Sequence, residues 1–352
     1  MGTLHRPIRT LLAGVLLAGA AGLSGCADVK ESLTDASREI NSYLGIGGDE
    51  ATAAGAASAE SGPASEAEES YRAGLAAREG GDLTVAFGHF EAAAEQGHAA
   101  AAYELAEAYR SGRGTAPDAE AAARWTNLAA ERGDPRARYR VGAAYYHGLG
   151  VEQDYEVAAR FLGQAAVEGH AQAQFLLAEC FANGRGVAKN AAWAARWYGK
   201  AALQGHREAQ YAYGLLHAAG VGLPKDPEAG HGWLLVAEGN GHEGAPEIRR
   251  SLAEEMGPEA IARSQAWAEA FRPDPSAGGL SDRPTVRYVQ YTLNELGFDS
   301  GPVDGLFGPR TRTAIEAYRT KRGQPADGKL NAGLLDSLLE SQATGRTVAD
   351  GG

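Results

Sequence analysis

The chain has 352 residues, which is enough for two or more domains, and 44% of them are hydrophobic. The formal net charge of −12 at pH 7 is the opposite of what a broad nucleic-acid surface requires, so we predict no nucleic-acid partner. Only two cysteines occur, Cys26 and Cys180, which excludes a fold held together by several disulfide bonds.

Residues 1–25 have the organisation of a signal peptide. Arg6 and Arg9 provide a basic start, and residues 11–22 form an apolar run shorter than the ~20 residues needed to span a bilayer. The following sequence LSGC, which ends at Cys26, resembles the lipobox of bacterial lipoproteins. The resemblance implies cleavage before Cys26 and lipidation of its thiol. A plain secretory signal with an incidental cysteine is the alternative.

The implied lipid would anchor the protein on the periplasmic side of the cell envelope. Ala27 follows the cysteine in place of the Asp that favours the inner membrane in enteric lipoproteins, so the outer membrane is favoured. Residues 26–69 are predicted to be a disordered acidic tether, because they carry few large apolar side chains with which to build a core. A short helix over Val29–Leu44 is a further prediction within the tether.

A repeat with a step of 36 residues organises the middle of the chain. The dipeptide Gly97-His98 returns at positions 133, 169, 205 and 241, with Asp134 replacing the histidine once. A Gly-x-Gly pair, an aromatic residue and an Asp or Asn keep the same step. Such a period indicates a solenoid of stacked units. The large residue that recurs late in each unit is Trp125, Phe161, Trp197 or Trp233.

Each unit is predicted to contain two helices. Pro135 suits the first turn of a helix, and Gly148 suits its end because glycine readily adopts the left-handed conformation. Asp154 is a suitable N-cap for the second helix, since its carboxylate can accept from the free amides of the first turn. Small residues recur where the paired helices approach, and these are Ala106, Gly142, Ala178 and Gly214 in the first helix and Ala122, Ala158, Ala194 and Gly230 in the second.

This pattern resembles the Sel1-like repeat, a relative of the tetratricopeptide repeat, most closely in the stretch YELAEAYRSGRGTAPDAEAAARWTNLAAERGD. The resemblance implies an all-α fold, namely an α-solenoid of helix-turn-helix repeats whose surface binds protein partners. We place the solenoid at residues 70–271. It has a shortened first unit at residues 70–98 and two capping helices at Pro246–Glu255 and Pro258–Phe271.

A separate C-terminal module is predicted at residues 285–342, after a linker rich in Pro and Gly at residues 272–284 and before a disordered tail at residues 343–352. Its second and third helices are predicted over Thr311–Lys321 and Asn331–Leu339. The sequence GPVDGLFGPRT and the helical patterns around it resemble the three-helix peptidoglycan-binding domain. The resemblance implies a small three-helix fold with peptidoglycan as its ligand.

Seven residues of the module are candidate peptidoglycan contacts, namely Gln290, Asp304, Gly305, Phe307, Gly308, Thr311 and Arg312. Polar groups beside some aromatic surface suit a shallow cleft for this ligand. The same motif also has a structural interpretation, in which Phe307 fills the core and Asp304 closes the loop. Arg310, Arg312 and Arg319 could pair with stem-peptide carboxylates or belong to a solvated face. Arg319 replaces the glutamine usual in the family, which puts glycan contacts from the second helix in doubt.

No catalytic residue, metal site or cofactor is predicted. The repeated histidines are interpreted as helix-terminal residues, because equivalent positions in stacked helices lie roughly 10 Å apart whereas zinc binds nitrogens at ~2 Å. Cys180 occupies a small core position and has no evident base to activate it. The repeated Arg124, Arg160 and Arg196 are predicted to pack over a neighbouring ring or to bind acids of a partner.

These features predict a non-enzymatic envelope lipoprotein. Its repeats would bind an unidentified envelope protein, its module would bind peptidoglycan, and its N-terminal lipid would hold it to the membrane. A second hypothesis is a regulator or assembly factor of an envelope enzyme or of exopolysaccharide secretion machinery, with the module as an address. A cell-wall hydrolase is a third hypothesis, and the absence of a recognisable catalytic domain in the sequence disfavours it.

The anchor is tested by the substitution Cys26→Ser. We expect the wild-type protein to incorporate radiolabelled palmitate and the variant to incorporate none, because the cysteine thiol is the predicted site of acylation. The variant should also lose its association with the membrane fraction, since stable anchoring requires acyl chains. Wild-type protein without label would contradict the lipoprotein prediction.

Overall fold

The computed structural model describes residues 63–274 and 282–343, and every regular element in these ranges is an α-helix. The repeat helices are α1 (Pro63–Glu79), α2 (Leu83–Glu95), α3 (Ala99–Ser111), α4 (Ala119–Glu131), α5 (Pro135–His147), α6 (Tyr155–Val167), α7 (Ala171–Asn183), α8 (Ala191–Leu203), α9 (Arg207–Ala219) and α10 (Pro227–Gly239). They are followed by α11 (Ala245–Glu254), α12 (Pro258–Ala270), α13 (Arg283–Glu295), α14 (Pro309–Lys321) and α15 (Ala332–Ala343). None of these helices is long and apolar enough to cross a membrane.

The described helices belong to two compact units. One unit ends at His170 and contains α1 to α6, and the other begins at Ala171 and contains α7 to α15. The last two repeats therefore share a unit with the C-terminal module. Residues 26–62 of the predicted tether, which include Cys26 and the predicted helix over Val29–Leu44, lie outside the described residues, as do residues 275–281 of the predicted linker and 344–352 of the predicted tail. The prediction of a disordered tether is wrong at residues 63–69, which form the start of α1.

Local sequence rules account for the ends of the repeat helices. Asp154 accepts hydrogen bonds from the backbone N–H groups two and three residues later, at 2.9 and 3.0 Å, and caps α6 as predicted. Gly148 ends α5 with a φ of +68°, which confirms the left-handed position. Gly222 is required for a further reason, because a Cβ there would lie 2.2 Å from the carbonyl oxygen of Ala191. Most predicted helix boundaries differ from the observed ones by one or two residues, but α15 extends to Ala343, four residues beyond the predicted end at Leu339. The first module helix, α13, begins at Arg283, inside the predicted linker.

Small residues set the distance between paired helices, as predicted. A Cβ on Gly142 would lie 2.8 Å from the Leu162 side chain, so α5 and α6 pack closely only because that side chain is absent. In the fifth repeat, a Cβ on Gly214 or Gly230 would lie 3.0–3.2 Å from the carbonyl oxygen of the other glycine. Close backbones of this kind leave the large aromatic residues to fill the remaining volume.

The repeated histidines cap helices and stack on rings. His98 and His206 accept from the backbone N–H three residues later through Nδ1, at 3.1 and 3.2 Å. Four histidines stack on an aromatic residue of the same repeat with ring centroids 4.0–4.6 Å apart, in the pairs Tyr71–His98, Tyr139–His170, Phe175–His206 and Tyr211–His242. The helix-terminal interpretation is confirmed, and the stacking gives the repeated histidine a packing role that the sequence reading did not include.

Two helices cover the end of the repeats. Leu234 and Ala237 of α10 join Ile248 and Leu252 of α11 in one buried cluster. Trp267 of α12 packs over the fifth repeat, where its ring would lie 2.8 Å from a Cβ on Gly232. The predicted capping helices are therefore present.

The C-terminal module has its own three-helix core. Val289 and Leu293 of α13 are fully buried, as are Ile315 and Tyr318 of α14. The hydroxyl of Tyr318 bonds to two serines of α15, at 2.8 and 2.9 Å, and thereby ties the second and third helices together. Asn331 caps α15, as predicted, by accepting from the backbone N–H of residue 334 at 3.0 Å.

The substitution Trp197→Ala tests the packing of the compact unit that begins at Ala171, called the second unit below. Trp197 is 1% exposed, so we expect a loss of ~3–5 kcal/mol in the free energy of unfolding, because removing the indole leaves a large cavity. Hydrogen exchange should accelerate throughout residues 171–242, since each unit of a stack depends on its neighbours. Trp125→Ala, at the matched but half-buried position of the other unit, should cost less and act within residues 63–170. Unchanged protection in the second unit of the Trp197 variant would contradict this packing.

Candidate functional site

The loop that carries the module's sequence motif is organised by one buried amide. Gln290 is 1% exposed, and its side-chain nitrogen donates to Asp304 Oδ1 at 3.0 Å and Thr311 Oγ1 at 3.2 Å. Its side-chain oxygen accepts from the backbone N–H of Gly305 at 2.9 Å. Thr311, which is also 1% exposed, donates to the carbonyl oxygen of Ser300. These bonds close the loop between α13 and α14.

The seven candidate residues divide by exposure. Gln290, Gly305 and Thr311 are buried, so their side chains and the glycine do not face solvent, and their hydrogen bonds serve the fold. Asp304 is half-buried and closes the loop as predicted, by accepting from Gln290 and from the backbone N–H of residue 306. Gly308 precedes α14 in an extended conformation (φ −109°, ψ −178°), which any residue can adopt.

Phe307 and Arg312 are the exposed pair of the motif. The prediction that Phe307 fills the core is wrong, because 36% of its surface is exposed. The closed loop leaves the ring outward, and the half-buried Phe298 packs against the buried Tyr318 instead, with ring centroids 5.5 Å apart. The Arg312 guanidinium lies 5.8 Å from the centroid of the Phe307 ring, within the range of a cation–π contact.

A shallow cleft of about 510 Å³ lies on another side of the same motif. It is lined by Gly297, Phe298, Asp299, Pro309, Arg310, Thr313, Ala314 and Ala317. Arg310 donates to both carboxylate oxygens of Asp299, at 2.8 and 2.6 Å, and this bond lowers the pKa of the carboxyl group. Both side chains are exposed, so a ligand carboxylate could exchange with Asp299 for the guanidinium.

Arg319 does not belong to this surface. It is 7% exposed, and its guanidinium donates to Asp327 and Asn331 at 2.7 Å each. It therefore holds the loop before α15 in place. The solvated-face interpretation and the stem-peptide interpretation are both wrong for Arg319, because its partners lie inside the module.

The module packs against the fourth repeat, residues 171–206, through α13 and α8. Arg196 of α8 is 5% exposed, with its guanidinium 4.6 Å from the Trp193 ring centroid and 4.3 Å from the Trp197 centroid. Its Nε donates to Thr285 Oγ1 of α13 at 3.1 Å, and Tyr288 of α13 meets Trp193 edge-on at 4.6 Å. The sequence reading placed Arg196 over a neighbouring ring, which is confirmed, but it did not predict the module above it.

A buried ion pair lies beside this arginine. Lys200 Nζ is 2.6 Å from Asp282 Oδ2, and the two side chains are 2% and 9% exposed. Burial and the nearby Arg196 lower the pKa of Lys200 to about 8. Gly199 lets α13 approach, since a Cβ there would lie 2.9 Å from Pro284. One signal that could have revealed this interface is Trp193, which stands where the other four repeats have Val, Ala, Val and Ala.

A second polar contact joins the module to the fifth repeat, residues 207–242. Arg287 Nη1 of α13 lies 3.2 Å from His217 Nε2 of α9. Because arginine only donates, Nε2 is the acceptor and the ring proton resides on Nδ1. His217 is 3% exposed, and burial together with Arg287 lowers its pKa to about 3.

An apolar groove of about 210 Å³ lies between the fourth and fifth repeats. It is lined by Phe175, Glu179, Ala182, Lys189, Ala191, Ala194, Tyr198, Glu208, Tyr211, Ala212, Leu215, Leu216, Val221 and His242. Glu179 accepts from the hydroxyl of Tyr198, which leaves this carboxylate at the groove. The groove thus combines an apolar floor with two acids and one lysine.

The described residues offer no arrangement for nucleophilic or metal chemistry. Burial raises the pKa of the Cys180 thiol to about 12, so it is protonated and unreactive at neutral pH. Across residues 63–274 and 282–343, no three His, Cys, Asp or Glu side chains gather as a metal site would require. The surfaces described above are suited to binding.

Two protein families match the chain. Residues 70–98, 99–134, 135–170, 171–206 and 207–242 each match the Sel1 repeat. Residues 282–338 match the family described as "Putative peptidoglycan binding domain". The chain therefore contains five Sel1 repeats followed by a peptidoglycan-binding domain, which confirms both predicted resemblances. Both families are typically non-catalytic, and no enzyme family is indicated.

Individual relatives match over limited stretches. Localization factor PodJL of Caulobacter vibrioides is 31% identical over 96 residues, covering 25% of this chain and 10% of PodJL. Putative OxPP cycle protein OpcA of Nostoc punctiforme is 36% identical over 64 residues, covering 18% of this chain and 14% of OpcA. The chain thus spans only a small part of the length of these curated relatives.

A solved structure supports the solenoid fold. The crystal structure of c5321, a protective antigen of uropathogenic Escherichia coli that displays an SLR fold, is similar with a TM-score of 0.50 and 28% sequence identity. The similarity covers 60% of this chain and 47% of c5321.

The contact between His217 and Arg287 predicts that the free energy of unfolding depends on pH. Between pH 6.5 and 3 the unfolded chain binds a proton at His217 that the folded chain does not, so stability falls as pH falls through 6.5. Relative to His217→Gln, which retains an acceptor for Arg287, the wild type should lose about 1.4 kcal/mol for each pH unit below about 6.

Urea unfolding followed by tryptophan fluorescence measures this difference, since four of the five tryptophans lie after residue 170. Comparison with the variant cancels the effects of the other titrating groups. Parallel stability curves for the two proteins between pH 7 and 4 would show that His217 is not buried as a neutral base.

Proposed function

We propose that the protein is a non-enzymatic envelope scaffold, anchored by a lipid on Cys26, that holds a protein partner at the cell wall. The peptidoglycan-binding domain supplies the wall contact, and the Sel1 repeats supply the partner contact. The observation that carries the proposal is the packing of α13 on α8, which combines an exposed wall module and an open apolar groove in one compact unit.

The wall contact is assigned to the exposed residues of the module. Phe307 offers an aromatic face, Arg312 lies over that ring, and Arg310 offers a guanidinium at the neighbouring cleft. Peptidoglycan presents sugar faces that pack on aromatic rings and peptide carboxylates that pair with arginine. Of the seven predicted contacts, Phe307 and Arg312 are therefore the ones we propose to touch ligand. Gln290 and Thr311 act by shaping the loop.

The partner contact is assigned to the groove between the fourth and fifth repeats. Its floor includes Phe175, Tyr211 and Leu215, while Glu179 and Glu208 outnumber the single Lys189. An amphipathic segment with apolar anchors and a flanking basic residue complements this lining. We therefore propose a basic, amphipathic segment of an envelope protein as the occupant.

The lipid anchor and the location in the cell envelope are proposed from the sequence. A lipid on Cys26, followed by a tether that ends before α1 begins at Pro63, would bring the scaffold to the periplasmic face of the outer membrane. The PodJL relative is named a localization factor, a role of the same general kind as the one proposed here.

One experiment separates the two contacts. Cells that express the full-length protein are crosslinked, their sacculi are isolated and washed with detergent, and retained proteins are quantified by mass spectrometry. The double variant Phe307→Ala with Arg312→Gln should reduce retention on sacculi roughly tenfold, because it removes a ring contact and a charged donor. Lys321→Gln, an exposed cation at the far end of α14, is the control and should change nothing.

The groove is tested in the same cells. Ala212→Arg places a long side chain in the groove and should remove the crosslinked partner without changing retention of the scaffold on sacculi. Ala262→Arg, on the exposed face of α12, is the matched control. Full retention of the module double variant would overturn the wall assignment, and an unchanged partner set for Ala212→Arg would overturn the groove assignment.

A further inference from the structure

A crevice of about 490 Å³ lies between the module and the end of the repeats. Its walls come from α9, α10 and α12 on one side and from the first turns of α13 on the other, with all lining residues in the second unit. It is lined by Leu203, Tyr213, Asp226, Glu228, Ala229, Trp233, Arg263, Ser264, Trp267, Arg283, Pro284 and Arg287. Neither the repeats nor the module alone would form it.

The crevice is cationic in an acidic chain. Arg283 and Arg287 lie one turn apart on α13, and within the described ranges neither has a carboxylate at ion-pair distance. The acids of the crevice are already engaged. Glu228 pairs bidentately with Arg263 at 2.9 and 2.6 Å, and Asp226 caps α10. Since Arg287 Nη1 is engaged by His217, the guanidinium of Arg283 and the unpartnered Nε of Arg287 are left to bind an anion from outside.

Aromatic surface lies opposite these arginines. Trp233 and Trp267 meet edge-on with ring centroids 5.0 Å apart, and 39% of Trp267 is exposed. An exposed indole of this size in a concave site is a strong anchor for apolar or saccharide groups. Arg287 contributes a further feature, because its Nε is buried without a hydrogen-bond partner in the described residues. A ligand acceptor at that position would satisfy it.

The crevice adjoins the proposed wall-binding loop. A Cβ on Gly305 would lie 3.0 Å from the carbonyl oxygen of Arg283 and 3.1 Å from the side chain of Arg287. The loop that displays Phe307 therefore packs on the same turns of α13 that present the two arginines. The loop of the proposed wall contact therefore borders the cationic crevice on α13.

We propose that this crevice binds a carboxylate of the peptidoglycan stem peptide, as a second wall site formed jointly by the repeats and the module. This inference rests on the proposed wall-binding function. The guanidinium fork of Arg283 pairs with the terminal carboxylate, and Arg287 supplies a second donor. The short apolar side chains of the peptide pack on Trp267. The joint site gives the repeats a direct part in wall binding.

The test uses the full-length protein and three soluble probes. These are a disaccharide-tetrapeptide muropeptide, a peptide-free glycan of the same sugars, and an unrelated acidic peptide with a free C-terminus. Binding is measured by titration calorimetry and by the change in tryptophan fluorescence. Arg283→Gln should weaken the muropeptide roughly tenfold, since one charge-assisted hydrogen bond is lost, and should leave the peptide-free glycan unchanged. Arg250→Gln, on the exposed face of α11, is the control and should leave all three affinities unchanged.

The outcomes separate this inference from the proposed function. If the wild type binds neither the muropeptide nor the glycan, the wall function itself fails. If the wild type binds both and Arg283→Gln binds the muropeptide equally well, the wall function stands and the crevice site is overturned. If Arg283→Gln weakens only the unrelated acidic peptide, the crevice receives a protein C-terminus and the stem-peptide assignment is overturned.

Discussion

The buried guanidinium of Arg196 is the interaction on which the second unit depends. It lies between two tryptophan rings, and its one hydrogen bond to the module goes to Thr285. Removing a cation from water is unfavourable unless other groups replace the lost hydration. Here two π faces and a hydroxyl of α13 replace part of it, while Nη1 is buried without a hydrogen-bond partner in the described residues. Without the module, Trp193 and Trp197 would border solvent on that side, so the fourth repeat and the module stabilise each other.

The neighbouring ion pair fixes how the module sits. Asp282 accepts from the backbone N–H of Thr285 at 2.8 Å and so begins α13, while its other oxygen meets Lys200. A buried ion pair contributes little net stability, because desolvation offsets most of the attraction, but a mismatched partner is strongly unfavourable. Since one carboxylate both starts α13 and pairs with α8, a shift of the module along the repeat would leave a buried charge unpaired. The pair therefore specifies a single docking register.

Much of the fold could be predicted because it follows local rules. Helix ends obey the capping preference of residues such as Asp154, and the 36-residue step shows which faces pack. The docking of the module could not be predicted in this way. Arg196 has the same identity as Arg124 and Arg160, which carry out a surface role in their own repeats, so its burial depends on a surface that lies 89 residues further along the chain. Trp193 and Lys200 depart from their repeat positions and mark the interface, since the other copies have Val or Ala at the first position and Ala, Leu, Gln or Val at the second.

In the candidate site, too, the part that follows local sequence rules could be predicted and the part that depends on distant residues could not. Most residues of the motif are those that close its loop, and the buried Gln290 and Thr311 do so through their hydrogen bond. The proposed ligand contacts depend instead on side chains that the closed loop leaves exposed, such as Phe307, and on surfaces that form only when the module docks on the repeats. Two binding sites on one chain strengthen the overall attachment, because binding at one site raises the local concentration of the other site's ligand. The fixed docking register of the module would also set an orientation. A partner bound in the proposed repeat groove would be held at one angle to the wall, which a flexible connection between repeats and module would not impose.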